Sequence, residues 1–124
     1  MEFSAPAGQA VTTSMQTPET TAAWRSLMDE IAPGSDEWVM EAVFGGTYQR
    51  PGFAARDRQL LTIAALTALG GVEREFQGHF ASSLRLGMSP AELGEALVHL
   101  MPYVGVPRTL AAMRLLKAAI AEIS

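Results

Sequence analysis

Cysteine is absent from this chain of 124 residues. Without thiols the protein forms no disulfide, binds no zinc or iron–sulfur cluster through thiolates, and has no thiol nucleophile for peroxidase chemistry. The absence also fits a reducing compartment. The two histidines, His79 and His99, are far apart in sequence, and no HExxH motif occurs. We therefore expect neither a structural nor a catalytic metal.

Long hydrophobic runs and an excess of basic charge are also missing. The longest apolar stretch, residues 60–69, contains two threonines and is far shorter than the roughly 20 residues that span a bilayer. The N-terminus has no basic segment followed by an apolar one, so no signal peptide is expected. The net charge of −4 is not the basic footprint of a nucleic-acid-binding protein. We expect a cytoplasmic protein with neither nucleic acid nor membrane as a partner.

The chain is nevertheless rich in apolar side chains, which make up 48% of its residues. At this length we expect one domain, which can bury only about two-thirds of the surface of its unfolded chain. Further apolar surface is then predicted to be buried against copies of the same chain. Residues 1–17 show little periodicity and are predicted to be a flexible tail, which leaves residues 18–124 as the domain.

Apolar spacing and helix-capping signals predict an all-α fold of about six helices without strands. The first helix is expected to begin after Thr17 and to end at Pro33, with an apolar stripe through Leu27. Ser35 is predicted to cap the second helix, whose apolar face includes Trp38.

Four more helices are predicted at short intervals. The third, residues 55–69, is apolar nearly all round and is expected to be central and buried. The fourth covers residues 72–86. A capping box at residues 89–92 starts the fifth, which Pro102 is predicted to end, and Pro107 opens the sixth.

One polar row on the fourth predicted helix could carry chemistry. Glu75, His79 and Ser83 are spaced four residues apart, so they lie on one face. An acid one turn before a histidine can fix its tautomer and raise its pKa, as a general acid or base requires. The alternative is a boundary histidine with an ion pair on the helix surface.

Three arginines lie close together in an otherwise acidic protein. Arg56 and Arg58 fall in the first turn of the third predicted helix, and Arg50 lies in the loop before it. Together they could bind an anion such as a substrate carboxylate. The alternative is a solvated or interfacial cluster that pairs with Asp57 or with acids of another chain. On the fifth predicted helix, His99 and Tyr103 could line a pocket or belong to the core.

These motifs together resemble the carboxymuconolactone decarboxylase family over residues 44–116. Each piece alone is weak, but their order and spacing are specific. The matching pieces are residues 45–52 (GGTYQRPG), 56–65 (RDRQLLTIAA), 79–87 (HFASSLRLG), 88–95 (MSPAELGE) and 102–107 (PYVGVP).

The resemblance implies a small, all-helical protein of the alkyl hydroperoxidase D-like fold that assembles into trimers or hexamers. It implies a carboxy-lyase that uses no cofactor, since the founding activity converts 4-carboxymuconolactone to 3-oxoadipate enol-lactone. The thiol-dependent branch has a CxxC motif followed by a histidine. His79 occupies that histidine position, Val72 and Glu75 replace the two thiols, and a glutamate of that branch lies near Gln59. Thiol peroxidase chemistry is thereby excluded.

On this resemblance His79 is predicted to act as general acid or base, oriented by Glu75, on a small carboxylated lactone or related unsaturated acid. The side chains predicted to bind that anionic substrate are Arg50, Arg56, Arg58, Phe76, Phe80, Tyr103 and His99. Two other functions stay open. One is a cofactor-free isomerase or cyclase on the same scaffold, and the other is a helical oligomer without catalysis.

Overall fold

The computed structural model describes residues 3–124 and is all-helical over that range. The chain divides into two compact units, one ending at Ala54 and the other covering Ala55–Ser124. The predicted all-α class is confirmed. The division into a flexible tail of residues 1–17 and one domain of residues 18–124 stays a prediction.

The first unit begins with a helix that the sequence pattern did not predict. Helix α1 covers Ala5–Met15, within the predicted tail, and the Ser4 side chain caps it by accepting a hydrogen bond from the Ala7 amide. Its contact with the rest of the unit is made partly by glycine. Gly8 lies against backbone, where a Cβ would collide with the Met40 carbonyl. Packing of this kind leaves no apolar periodicity to recognise, which explains why the helix was missed.

The next helices of this unit begin close to the predicted residues, but their apolar faces are not buried as a whole. Helix α2 (Pro18–Ile31) begins after the Thr17 cap, and α3 (Ser35–Val39) follows a left-handed Gly34. The structure continues with a π-helical turn (Met40–Phe44) and a 3-10 turn (Thr47–Gln49).

One expectation for this unit was wrong, and two of its predicted apolar faces are exposed in the single chain. Ser35 is the first helical residue rather than the cap, and its hydroxyl donates to the Met28 carbonyl. The apolar stripe of α2 is not buried in the single chain, because Leu27 and Ile31 are 60% and 76% exposed. Trp38 is likewise 65% exposed. Periodicity identifies an apolar face but does not say what covers it.

The second unit contains four helices and the main hydrophobic core. They are α4 (Ala55–Leu69), α5 (Glu73–Arg85), α6 (Pro90–Val104) and α7 (Val106–Ile123). Helix α5 packs against α4 and α7, and α6 packs against α7. The core includes Ile63 of α4, Phe80 of α5, Leu97 of α6 and Leu116 of α7.

Two expectations for the second unit were also wrong. Helix α4 is buried on one face only, since Leu61 and Leu69 are exposed in the single chain. Helix α6 does not end at Pro102, which removes only one backbone donor. The helix ends instead at Gly105, which adopts a positive φ of 92° and donates its amide hydrogen to the Met101 carbonyl.

The capping box that opens α6 is confirmed. Ser89 accepts a hydrogen bond from the Glu92 amide, and the Glu92 carboxylate accepts one from the Ser89 amide. Over the part of the chain that the structure describes, none of the helices combines the length and the apolar character needed to cross a lipid bilayer.

Candidate functional site

His79 lies on α5 where that helix packs against α4. Its Nδ1 atom is 3.0 Å from Oε1 of Gln59, which is completely buried on α4. The ring itself is half-buried, so it is not enclosed by core side chains. Gln59 shares a face of α4 with Ile63 and Thr67, which are buried one and two turns further along. The helix pairing therefore fixes one side of the imidazole.

This contact defines the chemistry of both ring nitrogens. A carbonyl oxygen only accepts hydrogen bonds, so Nδ1 carries a hydrogen and donates it to Gln59. In the neutral ring Nε2 then holds the lone pair. Among the described residues, no hydrogen-bond partner is recorded for Nε2. The arrangement leaves one nitrogen able to exchange a proton with a bound molecule.

Burial lowers the pKa of His79 below the ordinary histidine value, because the imidazolium loses hydration. The charge of Glu75 acts in the opposite direction and raises the pKa, but it is the smaller effect. Glu75 therefore raises the pKa of His79 as expected, but burial outweighs it and the net shift is downward. His79 is predominantly neutral near pH 7, which suits proton transfer at Nε2.

The predicted row on α5 holds together only in part. Glu75 is exposed, and His79 Nδ1 donates its hydrogen bond to Gln59 rather than to Glu75. Ser83 is buried, and its hydroxyl donates to the His79 carbonyl at 2.8 Å. Ser83 thus satisfies the helix backbone, while Glu75 acts on His79 as a nearby charge.

The three arginines divide between different environments. Arg56 pairs with Glu92 of α6 across 2.7 Å, and both side chains are about half exposed. The pKa of Glu92 is lowered, first by its hydrogen bond from the Ser89 backbone and then by Arg56. Arg56 is therefore already engaged by a carboxylate, although Glu92 was not among the partners expected. Arg58 is half-buried on α4, whereas Arg50 is an exposed residue of the first unit.

The predicted apolar walls of the site are not assembled around His79 in the single chain. Phe76 and Phe80 are buried in the core, where their rings stack with centroids 4.7 Å apart. Tyr103 is 77% exposed and its ring lies 5.7 Å from that of His99, which is also exposed. Phe80 has no accessible surface to offer a ligand, and the His99–Tyr103 pair lies on the outer surface of α6.

The second unit also contains a small cavity of about 40 Å³, between the end of α4, the start of α5 and α7. Its lining includes Leu66, Val72, Phe76 and Arg108, but not His79. This volume holds a few water molecules at most. In the single chain it is too small for a lactone acid.

Within residues 3–124 no cluster of three or more histidine, aspartate or glutamate side chains is arranged to hold a metal ion. Among the described residues, the Gln59 amide and the Glu75 carboxylate act on the His79 ring. They can position and polarise an imidazole, and they can support proton transfer.

Comparison with known proteins adds an independent observation. Residues 33–118 match the model of the Carboxymuconolactone decarboxylase family. The chain belongs to this family. The matched segment includes all the residues of the second unit that surround His79, among them Gln59 on α4. The resemblance found in the sequence motifs is thereby confirmed.

Two proteins of similar sequence show how far the similarity extends. A 4-carboxymuconolactone decarboxylase of Acinetobacter baylyi is 35% identical over 78 residues, which is 63% of this chain and 58% of that protein. An uncharacterized 15.0 kDa protein of Paracoccus denitrificans is 28% identical over 96 residues, which is 77% of this chain and 72% of that protein. The chain thus matches less than two-thirds of the length of the decarboxylase.

Gln59 is the residue that the sequence reasoning did not place in the site. It was noted only for its position near a glutamate of the thiol-dependent branch. One signal was available, because a polar residue four positions before Ile63 falls on the buried face of α4. A glutamine on such a face needs a hydrogen-bond partner. The identity of that partner depends on how α4 and α5 pack.

Proposed function

We propose that this protein is a cofactor-free carboxy-lyase that removes CO₂ from a small carboxylated lactone or related unsaturated acid. The observation that carries the proposal is His79, held at Nδ1 by Gln59 with Nε2 available for proton transfer. Membership of the family and similarity to a 4-carboxymuconolactone decarboxylase favour this chemistry over other proton transfers.

The reaction is a replacement of CO₂ by a proton. The bond between the ring carbon and the carboxylate breaks, and its electron pair is delocalised into the unsaturated lactone as CO₂ leaves. Because neutral His79 has no hydrogen on Nε2, the ring first takes up a proton there from solvent. The imidazolium so formed donates this proton to carbon, and His79 returns to its neutral form. Because burial lowers the pKa of His79, the imidazolium is a stronger acid than free histidine and gives up this proton readily.

Binding of the substrate anion requires positive charge near the site. Arg58 is the arginine best suited on the second unit, since it is half-buried on α4, next to Gln59 in sequence. Arg56 would have to exchange Glu92 for the substrate. Bidentate binding of a carboxylate by a guanidinium provides both attraction and orientation.

Completion of the apolar walls is proposed to come from assembly into a homotrimer or homohexamer. The second unit exposes large apolar side chains on three of its helices, which a second copy could cover. These side chains are Leu61, Leu69, Val98, Tyr103, Val106 and Leu110. Light scattering at micromolar concentration is expected to give a multiple of the 13.3 kDa chain mass. A monomer would contradict this part of the proposal.

The activity is tested by incubating the purified protein with 4-carboxymuconolactone in D₂O. We expect one CO₂ and one carbon-bound deuterium in the product for each substrate consumed, measured by gas analysis and proton NMR. Substrate loss without CO₂ would instead support the isomerase or cyclase alternative. If neither this lactone nor related unsaturated lactone acids are consumed, the proposed function is wrong.

A further inference from the structure

We infer that Gln59 is the positioning residue of this site, and that it fixes the Nδ1–H tautomer of His79 without adding charge. The effect of Gln59 on catalysis rests on the proposed function, whereas its effect on the tautomer of His79 does not. The contact is direct, at 3.0 Å from Gln59 Oε1 to His79 Nδ1. Within residues 3–124, Gln59 is the one hydrogen-bond partner of the His79 ring.

The location of Gln59 makes the contact rigid. Gln59 is completely buried, and its neighbours one and two turns along α4, Ile63 and Thr67, are buried as well. Thr67 donates its hydroxyl to the Ile63 carbonyl, so its polar group is satisfied within this buried face of α4. A buried amide must keep its hydrogen-bond partners, and rotation of Gln59 away from His79 is therefore disfavoured.

The choice of an amide has a consequence for charge. A carboxylate at this place would also accept the Nδ1 hydrogen, but it would stabilise the imidazolium and raise the pKa of His79. The neutral amide accepts the same hydrogen and leaves burial as the dominant influence, so the pKa stays low. Residue 59 therefore determines which nitrogen exchanges protons and also the pH range in which it does so.

Two variants separate these effects. Gln59→Met keeps the length of the side chain and removes the acceptor, whereas Gln59→Glu keeps the acceptor and adds charge. The other charged side chains on α5 and on the helices packed against it are Glu73, Arg74, Glu75, Arg85, Arg56, Asp57, Arg58, Arg108, Arg114, Lys117 and Glu122. All of them are unchanged in both variants, so altered titration reports on residue 59.

The primary readout is the ¹⁵N NMR spectrum of the His79 ring in the full-length protein, which needs no substrate. Wild type is expected to show the Nδ1–H tautomer when neutral. Gln59→Met is expected to shift the population toward Nε2–H, and Gln59→Glu to retain Nδ1–H while raising the pKa by about one unit or more. A wild-type ring in the Nε2–H form, or an unchanged tautomer in Gln59→Met, would overturn the inference.

Kinetics then separate this inference from the proposed function. Gln59→Met is expected to lower kcat by about tenfold or more with KM nearly unchanged, and Gln59→Glu to move the pH profile of kcat to higher pH. A purely structural Gln59 would lower the melting temperature without moving that profile. If Gln59→Met does not fold, the Gln59→Glu titration still tests the inference. The expected NMR changes without any decarboxylation would refute the function and retain the role of Gln59.

Discussion

His79 and His99 lie in the same unit, on successive helices, but in different environments. His79 is half-buried and hydrogen-bonded to the fully buried Gln59, whereas His99 is exposed and its ring lies beside the exposed ring of Tyr103. Burial and a fixed partner give His79 a lowered pKa and a defined free nitrogen. The comparison teaches that residue type alone does not make an acid–base site, since packing selects which histidine can serve.

The largest effect is expected from making the same substitution at both histidines. His79→Gln should lower kcat by at least about 10²-fold, because the group that exchanges the proton is lost. His99→Gln should change kcat by less than about twofold, as is usual for an exposed side chain. Steady-state decarboxylation assays measure both. Equal losses, with intact folds by circular dichroism, would remove the distinction between the two sites.

A second test compares a half-buried arginine with an exposed one. Arg58→Ala should raise KM by about tenfold if this half-buried guanidinium binds the substrate carboxylate. Arg56→Ala should have a smaller effect, because Arg56 is exposed and paired with Glu92. Arg74→Ala, on the exposed first turn of α5, serves as the control. Unchanged KM in both variants would show that the arginine cluster is structural.

Glu75→Gln sharpens the comparison by removing the charge on the rim of the His79 site. The carboxylate raises the pKa of His79, so its removal should lower that pKa further and change kcat by only about two- to threefold. The ring tautomer should persist, since Gln59 holds it. If Glu75→Gln lowers kcat as much as His79→Gln does, then Glu75 rather than Gln59 orients the ring.

Acid stability provides a smaller effect of known sign. The pKa of His79 is lower in the folded protein than the value of about 6.5 in the unfolded chain. The unfolded state therefore binds more protons as the pH falls below about 6.5, and stability is lost until the folded pKa is passed. His79→Gln lacks this contribution, so its free energy of unfolding should fall less between pH 7.5 and 5.5. Urea titrations at both pH values check this, and an equal or greater fall in the variant would be inconsistent with a buried neutral imidazole.

No effect at all is expected from metal chelators or thiol-blocking reagents. The chain has no cysteine, and the proposed proton transfer uses only the His79 ring and water. Activity with and without EDTA and iodoacetamide is the measurement. Loss on chelation, restored by a single metal, would replace the imidazole mechanism with metal-assisted chemistry.

Local signals in the sequence determined most of the helix boundaries. The capping box at Ser89 and the pattern of residues 55–69 gave elements that match α4 and the start of α6, because caps and periodicity act within a few residues. His79 could be singled out as a candidate for the same local reason. The helix end predicted at Pro102 was wrong. The last turn of α6 tolerates the missing amide hydrogen of Pro102, and the helix ends at Gly105.

Only the tertiary structure decided what His79 touches and which apolar faces are covered. Glu75 was the expected partner because it lies one turn away, but His79 donates its hydrogen bond to Gln59, 20 residues away in sequence. Contacts between helices depend on how whole faces pack, and no local pattern records that choice. The packing of helix α1 could not be predicted for the same reason. Its backbone lies so close to the Met40 carbonyl at Gly8 that no side chain fits there, and a glycine adds nothing to an apolar pattern.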